Sequence, residues 1–315
     1  MRVLVTGATG FVGSNLVEAL LAAGHDVTVL TRSASRYDGP ADVEVVEGNV
    51  LEAGSFEAAL DVEAAYYLIH SMGAGADYEE RDRRAARTFS AAASEAGVDR
   101  VVYLGGLGVD RDSLSPHLRS RREVERILGL GEYDLTVLRA AIIIGAGSVS
   151  FQLIRQLAGR LPVMVTPQWV HTKCQPIAIA DVIGYLVDAL ETPETAGETY
   201  EIGGPDVLTY ADILRRTRRH LGGRLLLVPV PVLTPRLSSW WIRFVTDVDP
   251  AVARPLIDGV KNSVVVTDRS IDTVLPRELR SFDEAVTEAL AAETATTGVD
   301  DRQSGRLRRL LGSRP

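Results

Sequence analysis

The stretch Thr6-Gly7-Ala8-Thr9-Gly10-Phe11-Val12-Gly13 lies between a strand-like run, RVLVT, and a helical pattern that starts FVGSNLVEALLAAG. Its three glycines have separate tasks: Gly7 permits a tight turn, Gly10 lets backbone amides approach a pyrophosphate at the helix N-terminus, and Gly13 allows close packing of helix on strand. The strand-turn-helix context is what gives such a glycine pattern weight. The sequence therefore predicts a dinucleotide-binding turn formed by Gly7, Thr9, Gly10, Phe11, Val12 and Gly13.

Beyond this turn, short β-branched runs alternate with longer helical patterns; the runs are DVTVLT, VEVVE, AAYYLI, RVVYLG and LTVLRA. Strands that alternate with helices indicate a parallel sheet with right-handed crossovers, and near-continuous apolar strands indicate that both faces are covered. We therefore expect an α/β chain with a doubly wound parallel-sheet Rossmann fold over residues 1–145 and a smaller C-terminal α/β lobe.

The second half of the chain has a looser pattern that is punctuated by prolines. We expect residues 146–292 to form a substrate-side lobe, interleaved with the last elements of the Rossmann core, and residues 293–315 to form a flexible basic tail. The apolar stretch around Trp240, Trp241 and Phe244 is interrupted by arginines. We interpret it as lobe core or a substrate lid rather than a membrane-surface segment.

Composition excludes several classes of protein. A formal net charge of −8 argues against a sequence-independent nucleic-acid surface, which needs clustered Lys and Arg. The single cysteine, Cys174, cannot form an intrachain disulfide, and the five histidines show no metal-site spacing. No signal-type N-terminus and no run of about 18 uncharged apolar residues is evident. We expect a cytoplasmic monomer or homodimer that binds a small-molecule substrate, with no metal, nucleic acid or integral membrane segment.

The second predicted strand, DVTVLTR, ends where a dinucleotide-binding sheet contacts the adenosine ribose. An acidic residue there would bind the 2′-OH of NAD, but the chain continues Thr31-Arg32-Ser33, with Arg36 a turn further on. A guanidinium group is suited to a 2′-phosphate because its N–H groups form a fixed fork. The sequence therefore favours NADP(H) over NAD(H), with an ordinary exposed arginine as the competing interpretation of Arg32.

The TGATGFVG turn, the VEGNV segment and the blocks QPIAIADVIGYLVDAL and GETYEIGGPDVLTYADIL resemble the short-chain dehydrogenase/reductase superfamily, in its atypical and extended, NmrA-like and epimerase-like branches. The resemblance covers most of the chain. It places Asn49 where the family usually has an adenine-contacting aspartate, and an amide can still form that hydrogen bond. The predicted cofactor contacts outside the turn are Arg32, Asn49, Val50, His70, Ser71, Gly105, Arg121 and Ile142.

Active members of this superfamily carry a Ser after the fifth strand and a Tyr-x-x-x-Lys on the next helix, where the lysine lowers the tyrosine pKa for proton exchange with the substrate. The fifth predicted strand, VVYLGGLG, places Gly105 and Gly106 at the Ser position. The helix SPHLRSRREVERIL places His117 and Arg121 at the Tyr and Lys positions. None of the nine tyrosines has a lysine four residues later, so the catalytic pair is absent.

Three residues are candidates for catalysis. His117, with an ordinary pKa of about 6.5, could be an acid or base, or could simply occupy the first turn of a helix. Arg121 could orient ribose hydroxyls or a substrate anion, or pair with Glu125 at i+4 spacing. His70 ends the fourth strand, where the resemblance places the nicotinamide ribose, or it is a hydrogen-bonded strand-end residue. Contact with a substrate and exposure to solvent both stay open for His171, Lys173 and Gln175.

The preferred hypothesis is an NADP(H)-dependent atypical oxidoreductase that moves a hydride to or from a carbonyl, imine or quinone-like small molecule without a Tyr-Lys pair. Quinone or double-bond reduction suits such a site because these acceptors need less help from an acid. The alternative is a non-catalytic NADP(H)-binding module, similar to NmrA-like regulators or to nucleotide-binding subunits of respiratory complexes. A third hypothesis, a sugar-nucleotide epimerase or dehydratase, is opposed by the missing tyrosine base.

Overall fold

The computed structural model describes residues 1–71, 77–108, 114–230 and 246–295. Its strands are β1 (Arg2–Thr6), β2 (Asp26–Thr31), β3 (Glu44–Glu47), β4 (Ala64–Tyr67), β5 (Arg100–Gly106), β6 (Asp134–Ala140), β7 (Ile143–Ile144), β8 (Val163–Thr166), β9 (Lys173–Cys174), β10 (Ile177–Ala178), β11 (Thr199–Ile202), β12 (Leu208–Thr209) and β13 (Leu226–Pro229). Its helices are α1 (Phe11–Ala22), α2 (Tyr78–Glu95), α3 (Pro116–Leu128), α4 (Val149–Arg160), α5 (Ile179–Glu191), α6 (Tyr210–His220), α7 (Pro250–Gly259), α8 (Ile271–Val274) and α9 (282–295).

Seven strands form one parallel sheet in the order β11-β6-β5-β4-β1-β2-β3. The chain runs outwards from β1 to β3 and then returns to β4 on the other side of β1, so the strand order reverses between β1 and β4. Open α/β sheets bind ligands outside the carboxyl ends of the strands at such a reversal. The predicted doubly wound α/β fold is therefore confirmed, and β11 joins it as a seventh strand.

Both faces of this sheet are covered by helices, as the continuous apolar strands require. Helices α1 and α5 pack on one face and α2 and α3 on the other. Successive β1 residues serve opposite faces: Val3 and Val5 join the cluster under α1 and α5, whereas Leu4 joins the cluster under α2 and α3. These strand ends are thereby held rigidly, which fixes the positions of the side chains that follow them.

A third apolar cluster lies in the C-terminal lobe, where α4 packs on α6. Helix α6 begins with a capping box in which the Thr209 hydroxyl accepts from the Asp212 amide at 3.1 Å and Asp212 accepts from the Thr209 amide at 3.2 Å. Strands β8 and β13 pair in parallel beside these helices, burying Met164 and Leu227. The lobe is therefore built around its own core, and α5 and β11 return the chain to the main sheet.

Two expectations concern the ends of the lobe. Helix α9 continues through residue 295, so residues 293–295, which were expected to begin the flexible tail, are helical instead. Glu293 lies 3.1 Å from Arg155 of α4, an ion pair that attaches this last turn to the lobe. The remainder of the tail and the stretch with Trp240, Trp241 and Phe244 lie outside the described residues. Among the described helices, none has the length and apolarity needed to cross a membrane.

Candidate cofactor and active site

A single large cavity of about 1350 Å³ begins at the carboxyl ends of the central strands and extends between α4, α6 and α7 of the lobe. Every residue that the sequence suggested for cofactor binding or catalysis lines it: Gly7, Thr9, Gly10, Phe11, Val12, Gly13, Arg32, Asn49, Val50, His70, Ser71, Gly105, His117, Arg121 and Ile142. The fold thus collects residues from all parts of the N-terminal half at one site. Which of them contact a ligand stays a prediction.

The Gly-rich turn has the geometry that the sequence demands. Gly7 has a φ of 71°, and a Cβ there would lie 2.9 Å from the carbonyl oxygen of Leu68. A Cβ on Gly13 would overlap the carbonyl of Gly7. A Cβ on Gly10, in contrast, would meet only the Gly7 carbonyl oxygen at 3.1 Å and would otherwise project into open space.

That open space lies at the N-terminus of α1. Gly10 is the N-cap residue and supplies no side-chain cap, so the first-turn N–H groups of the helix lack a side-chain partner. Unpaired amides and the positive end of the helix dipole together favour an anion. The residues present therefore fit the pyrophosphate of a dinucleotide.

The end of the cavity where the sequence predicts the adenosine is lined by Arg32 and Arg36, and Arg81 also lines the cavity, whereas no Asp or Glu is among the lining residues that the structure describes. Arg32 and Arg36 are exposed, and neither side chain pairs with a described residue. Glu47, at the end of β3, accepts a hydrogen bond from the Ala34 amide at 2.8 Å and so fixes the loop that carries both arginines. In a chain of net charge −8, this acid-free cationic lining favours a polyanionic ligand.

Asn49 lines the same end but uses its side chain locally. Its Nδ2 donates to the Glu52 carboxylate at 2.9 Å, and its Oδ1 accepts from the Leu51 amide at 3.2 Å. One Nδ2 hydrogen is left for an adenine, because a primary amide has two. The Asn49 side chain therefore stabilises its own loop with two of its hydrogen bonds.

His70 lines the cavity and is oriented by Asp82 of α2. The His70 Nδ1 is 3.3 Å from the Asp82 carboxylate, which also accepts from the Ser71 amide at 2.9 Å and from the Ser120 hydroxyl at 3.3 Å. The Nε2 of His70 is buried without a hydrogen-bond partner. Since one ring nitrogen is held by a carboxylate, the protonation of the other, buried nitrogen is defined.

The pKa values of this pair follow from burial and from the hydrogen bonds. Burial lowers the pKa of His70, and the nearby Arg121 charge adds to this, against the opposing effect of Asp82. Burial alone would raise the pKa of Asp82, which is 2% exposed, but the bonds from His70 and Ser71 hold it below its usual range. The pair is therefore a neutral imidazole beside a carboxylate at neutral pH.

His117 stands in the first turn of α3, facing His70 across a ring-centroid distance of 5.1 Å. Burial lowers its pKa to about 3, helped by His70 when that ring is protonated and by the charge of Arg121. Its Nδ1 is buried without a partner, so no group orients the ring. The expectation of an ordinary pKa near about 6.5 is wrong for His117, because desolvation disfavours its charged form.

Arg121 connects α3 to the sheet. Its guanidinium donates to the carbonyl of Leu104 and, at 3.4 Å, to that of Ile69, and it lies 5.2 Å from the centre of the Tyr103 ring. The expected pairing of Arg121 with Glu125 is not formed: Glu125 instead binds Arg122 at 3.1 Å and Arg139. Arg121 is thus a cation on the cavity wall that is held in place by two strand ends.

The comparisons with known proteins agree with this geometry. Residues 7–157 match the model of the NAD(P)H-binding family. This part of the chain is therefore similar to NAD(P)H-binding domains. The predicted resemblance is therefore confirmed.

The relatives of this chain have diverse names. It is 28% identical over 224 residues to the mitochondrial NADH dehydrogenase [ubiquinone] 1 alpha subcomplex subunit 9 of Dictyostelium discoideum, a match that covers 67% of this chain and 61% of that protein. It is 27% identical to a 3-diazoavenalumate denitrifying reductase of a Streptomyces species, covering 77% and 88% of the two chains. A nucleoside-diphosphate-sugar epimerase of Staphylococcus aureus has the same fold, with a TM-score of 0.74 at 14% identity over 91% and 100% of the chains.

The positions at which the resemblance places the superfamily's Ser and Tyr hold glycines and His117. A Cβ on Gly106 would lie 3.0 Å from the Leu118 side chain of α3, so a serine there would need a small shift of that leucine. Among the described lining residues, the tyrosine is Tyr210 of the lobe. Burial, together with Cys174, raises its pKa well above the usual range. Neither position therefore offers a substitute for the missing catalytic pair.

The lobe end of the cavity has a different character from the cofactor end. Its described lining residues on α4, β8, α6 and α7 carry no charge, and most are aliphatic, among them Leu157, Met164, Ile213, Leu256 and Ile257. The cavity therefore changes from cationic to apolar along its length.

The sequence did not indicate Asp82 as a functional candidate, and it left three residues of the lobe undecided. Asp82 was hidden in a charged run, yet it lies three, four and seven residues before buried Ala85, Ala86 and Phe89, a helical spacing that could have placed it on the buried face. Gln175, left undecided, is structural: it donates to the Gly204 carbonyl at 2.7 Å and accepts from the Val266 amide at 3.0 Å. His171 and Lys173 are outside the cavity lining. No described group of His, Cys, Asp and Glu is arranged to hold a metal ion.

Proposed function

We propose that this protein is an NADP(H)-dependent atypical oxidoreductase that moves a hydride to or from a carbonyl, imine or quinone-like group of an apolar small molecule. The observation that carries the proposal is the order of surfaces along one cavity. Arg32, Arg36 and Arg81 line its cofactor end, the His70–Asp82 pair lies in the middle, and uncharged aliphatic side chains line the lobe end. A cofactor and a second molecule therefore meet at His70.

NADP(H) is favoured over NAD(H) by the charges at the adenosine end. A 2′-phosphate would face Arg32 and Arg36 and no described carboxylate of the cavity lining. Hydrogen bonds to charged groups contribute about 1.5–3 kcal/mol each. Removing one guanidinium should therefore weaken NADPH binding far more than NADH binding.

The chain's own chemical contribution is the handling of a proton. When bound, NADP(H) supplies or accepts the hydride. Asp82 holds the N–H of His70 at Nδ1, which leaves Nε2, a buried atom of a residue that lines the cavity, as the proton acceptor. As a hydroxyl is oxidised, Nε2 takes its proton while the carbon-bound hydrogen leaves as hydride, and reduction returns both by the reverse route. The fixed charge of Arg121 stabilises negative charge on the substrate oxygen in either direction.

A non-catalytic NADP(H)-binding module is the second candidate. It is favoured by the absence of the Tyr-Lys pair and by the low pKa values of both histidines, which leave neither of them charged at neutral pH. The match to a subunit of NADH dehydrogenase is in line with such a role. Sugar-nucleotide epimerisation is opposed by the uncharged lobe lining, since a nucleoside diphosphate needs cationic partners in the lobe.

The test combines cofactor titration with turnover. NADPH and NADH are titrated into wild type, Arg32→Ala, Arg36→Ala and, as a matched control, Arg126→Ala, an exposed arginine outside the cavity. We expect Arg32→Ala to weaken NADPH binding by about 10- to 150-fold, with NADH binding and the control nearly unchanged. NADPH oxidation is then followed with an alkyl-substituted benzoquinone.

The two parts have separate outcomes. An unchanged NADPH/NADH affinity ratio in both cleft variants would refute the preference for NADP(H). NADPH binding without oxidation by quinones, ketones or imines would support the non-catalytic module instead of the oxidoreductase.

A further inference from the structure

The lobe end of the cavity contains an apolar chamber, defined here by Leu157 of α4, Met164 of β8, Ile213 of α6, and Leu256 and Ile257 of α7. The elements that supply these side chains belong to the lobe rather than to the sheet that binds the cofactor. Met164 and Ile213 are fully or almost fully buried in the lobe core, whereas Leu157, Leu256 and Ile257 remain partly accessible from the cavity. Three aliphatic side chains therefore present free surface to whatever enters.

The size of the cavity indicates two occupants. Pockets for one drug-sized ligand measure roughly 300–1,000 Å³, and this cavity is about 1350 Å³. The glycine turn and the arginines belong to the dinucleotide end. The chamber is the part that a dinucleotide would not use, because phosphates and riboses need polar partners that its described lining does not supply.

The few polar groups beside the chamber narrow the ligand class. The Ser148 hydroxyl is already used, since it donates to the Ile143 carbonyl at 2.8 Å and caps α4. The hydroxyl of Thr166 is buried, with the residue 2% exposed, and has no hydrogen-bond partner. The polar groups beside the chamber are therefore paired or buried, and an apolar ligand fits its accessible surface best.

We propose that the apolar chamber binds a hydrocarbon chain, so that the substrate is lipid-like, with its reactive carbonyl or quinone head at His70 and its alkyl or isoprenoid chain between α4, α6 and α7. This inference rests on the proposed function for the position of the head. The binding of the chain follows from the chamber alone. Apolar burial, rather than charge, is then what selects the substrate.

The first test measures chain binding without turnover. The neutral fluorescent probe N-phenyl-1-naphthylamine is titrated into the full chain in the presence of NADPH, using wild type, Leu157→Gln and Ile257→Gln. Leu226→Gln is the matched control, because Leu226 is an aliphatic residue that is 61% exposed and outside the cavity lining. We expect each chamber variant to bind the probe about tenfold more weakly or worse, with NADPH affinity and the control unchanged.

The second test uses wild type only and therefore does not depend on how the variants fold. Benzoquinones with n-alkyl chains of increasing length compete with the probe and serve as acceptors for NADPH oxidation. Each methylene that enters the chamber should improve competition and kcat/KM by about fourfold, until the chamber is full.

The outcomes separate this inference from the proposed function. Probe binding that is equal in all variants, or competition that is independent of chain length, would overturn the chamber as a chain-binding site. Chain-length-dependent competition without any NADPH oxidation would support the chamber and overturn the oxidoreductase proposal. Oxidation of NADPH by short and long quinones with equal kcat/KM would support the oxidoreductase proposal and overturn the chamber as a chain-binding site.

Discussion

Replacement of Asp82 by Asn should reverse the tautomer of His70. The carboxylate only accepts hydrogen bonds, from the Ser71 amide, the Ser120 hydroxyl and the His70 Nδ1. An amide of the same shape has one accepting and one donating group. If its oxygen keeps the Ser71 bond at 2.9 Å, its NH2 group faces His70 and forces the ring proton to Nε2.

The expected loss of rate follows from the loss of the proton-accepting lone pair on His70 Nε2. With a proton on Nε2, His70 can no longer accept one from a substrate hydroxyl, and general acid-base catalysis contributes about 10²–10⁴ in rate. Stability should fall as well, because the Ser71 bond is kept but His70 and Ser120 both lose their charged acceptor, and hydrogen bonds to charged groups contribute about 1.5–3 kcal/mol each. We therefore expect kcat/KM to fall by about 10²–10⁴ while the dissociation constant for NADPH stays within about twofold.

The assay has a kinetic and a spectroscopic part. Glu80→Gln is the matched control, since Glu80 is a 64% exposed carboxylate on the same helix that pairs with Arg83. Imidazole ¹⁵N chemical shifts report the His70 tautomer directly, whether or not a substrate is known. A ring proton that stays on Nδ1 in Asp82→Asn, or full activity of that variant, would refute the reasoning.

Three further changes test other parts of the site. Gly10→Val should abolish NADP(H) binding but leave the fold intact, because a Cβ at this position contacts only the Gly7 carbonyl oxygen. Gly13→Val should instead destabilise the fold by about 1–3 kcal/mol or more, because its Cβ would overlap the backbone. Calorimetry measures the first effect and thermal unfolding the second, and retained cofactor affinity in Gly10→Val would show that the turn has a structural role only. His117 has a folded-state pKa of about 3, so its contribution to stability is present above its unfolded pKa of about 6.5 and is lost as pH falls. His117→Phe should therefore reduce the loss of unfolding free energy between about pH 7 and 5 by up to about 2 kcal/mol in denaturant titrations. A loss as large as that of wild type would contradict the assigned burial of His117. Arg121→Lys should raise KM more than it lowers kcat, since one ammonium cannot hold both strand-end carbonyls; wild-type kinetics would show that this connection is not used.

Local sequence patterns were sufficient to predict the cofactor end of the molecule. The glycine turn and the apolar strands β1, β2 and β4 are contiguous in the chain, so their residues needed no tertiary information to be recognised. The four-residue strand β11 differs. The burial of its residues, TYEI, alternates along the strand. Its place beside β6 depends on a crossover that begins more than 50 residues earlier, so no local pattern in the sequence indicates the pairing.

The electrostatics of the site could not be predicted, because they arise between distant elements. His70 follows β4, Asp82 belongs to α2 and His117 to α3. Their pKa values depend on mutual distances and on burial that only the packing of α2 against α3 creates. The apolar chamber is a similar case, since its residues come from four elements of the lobe.

The structure reverses the order in which the two histidines should be considered. His117 occupies the position of the superfamily's catalytic tyrosine, but no carboxylate orients it, its Nδ1 is unpartnered, and burial lowers its pKa to about 3. His70 has Asp82 on one ring nitrogen and a free, buried nitrogen on the other. An acid-base residue needs a defined tautomer, and of the two histidines only His70 has a carboxylate partner that defines one. The absence of the Tyr-Lys pair in this chain thus coincides with a His-Asp pair at the neighbouring strand end, and under the proposed function the proton is handled from β4 and α2 rather than from α3.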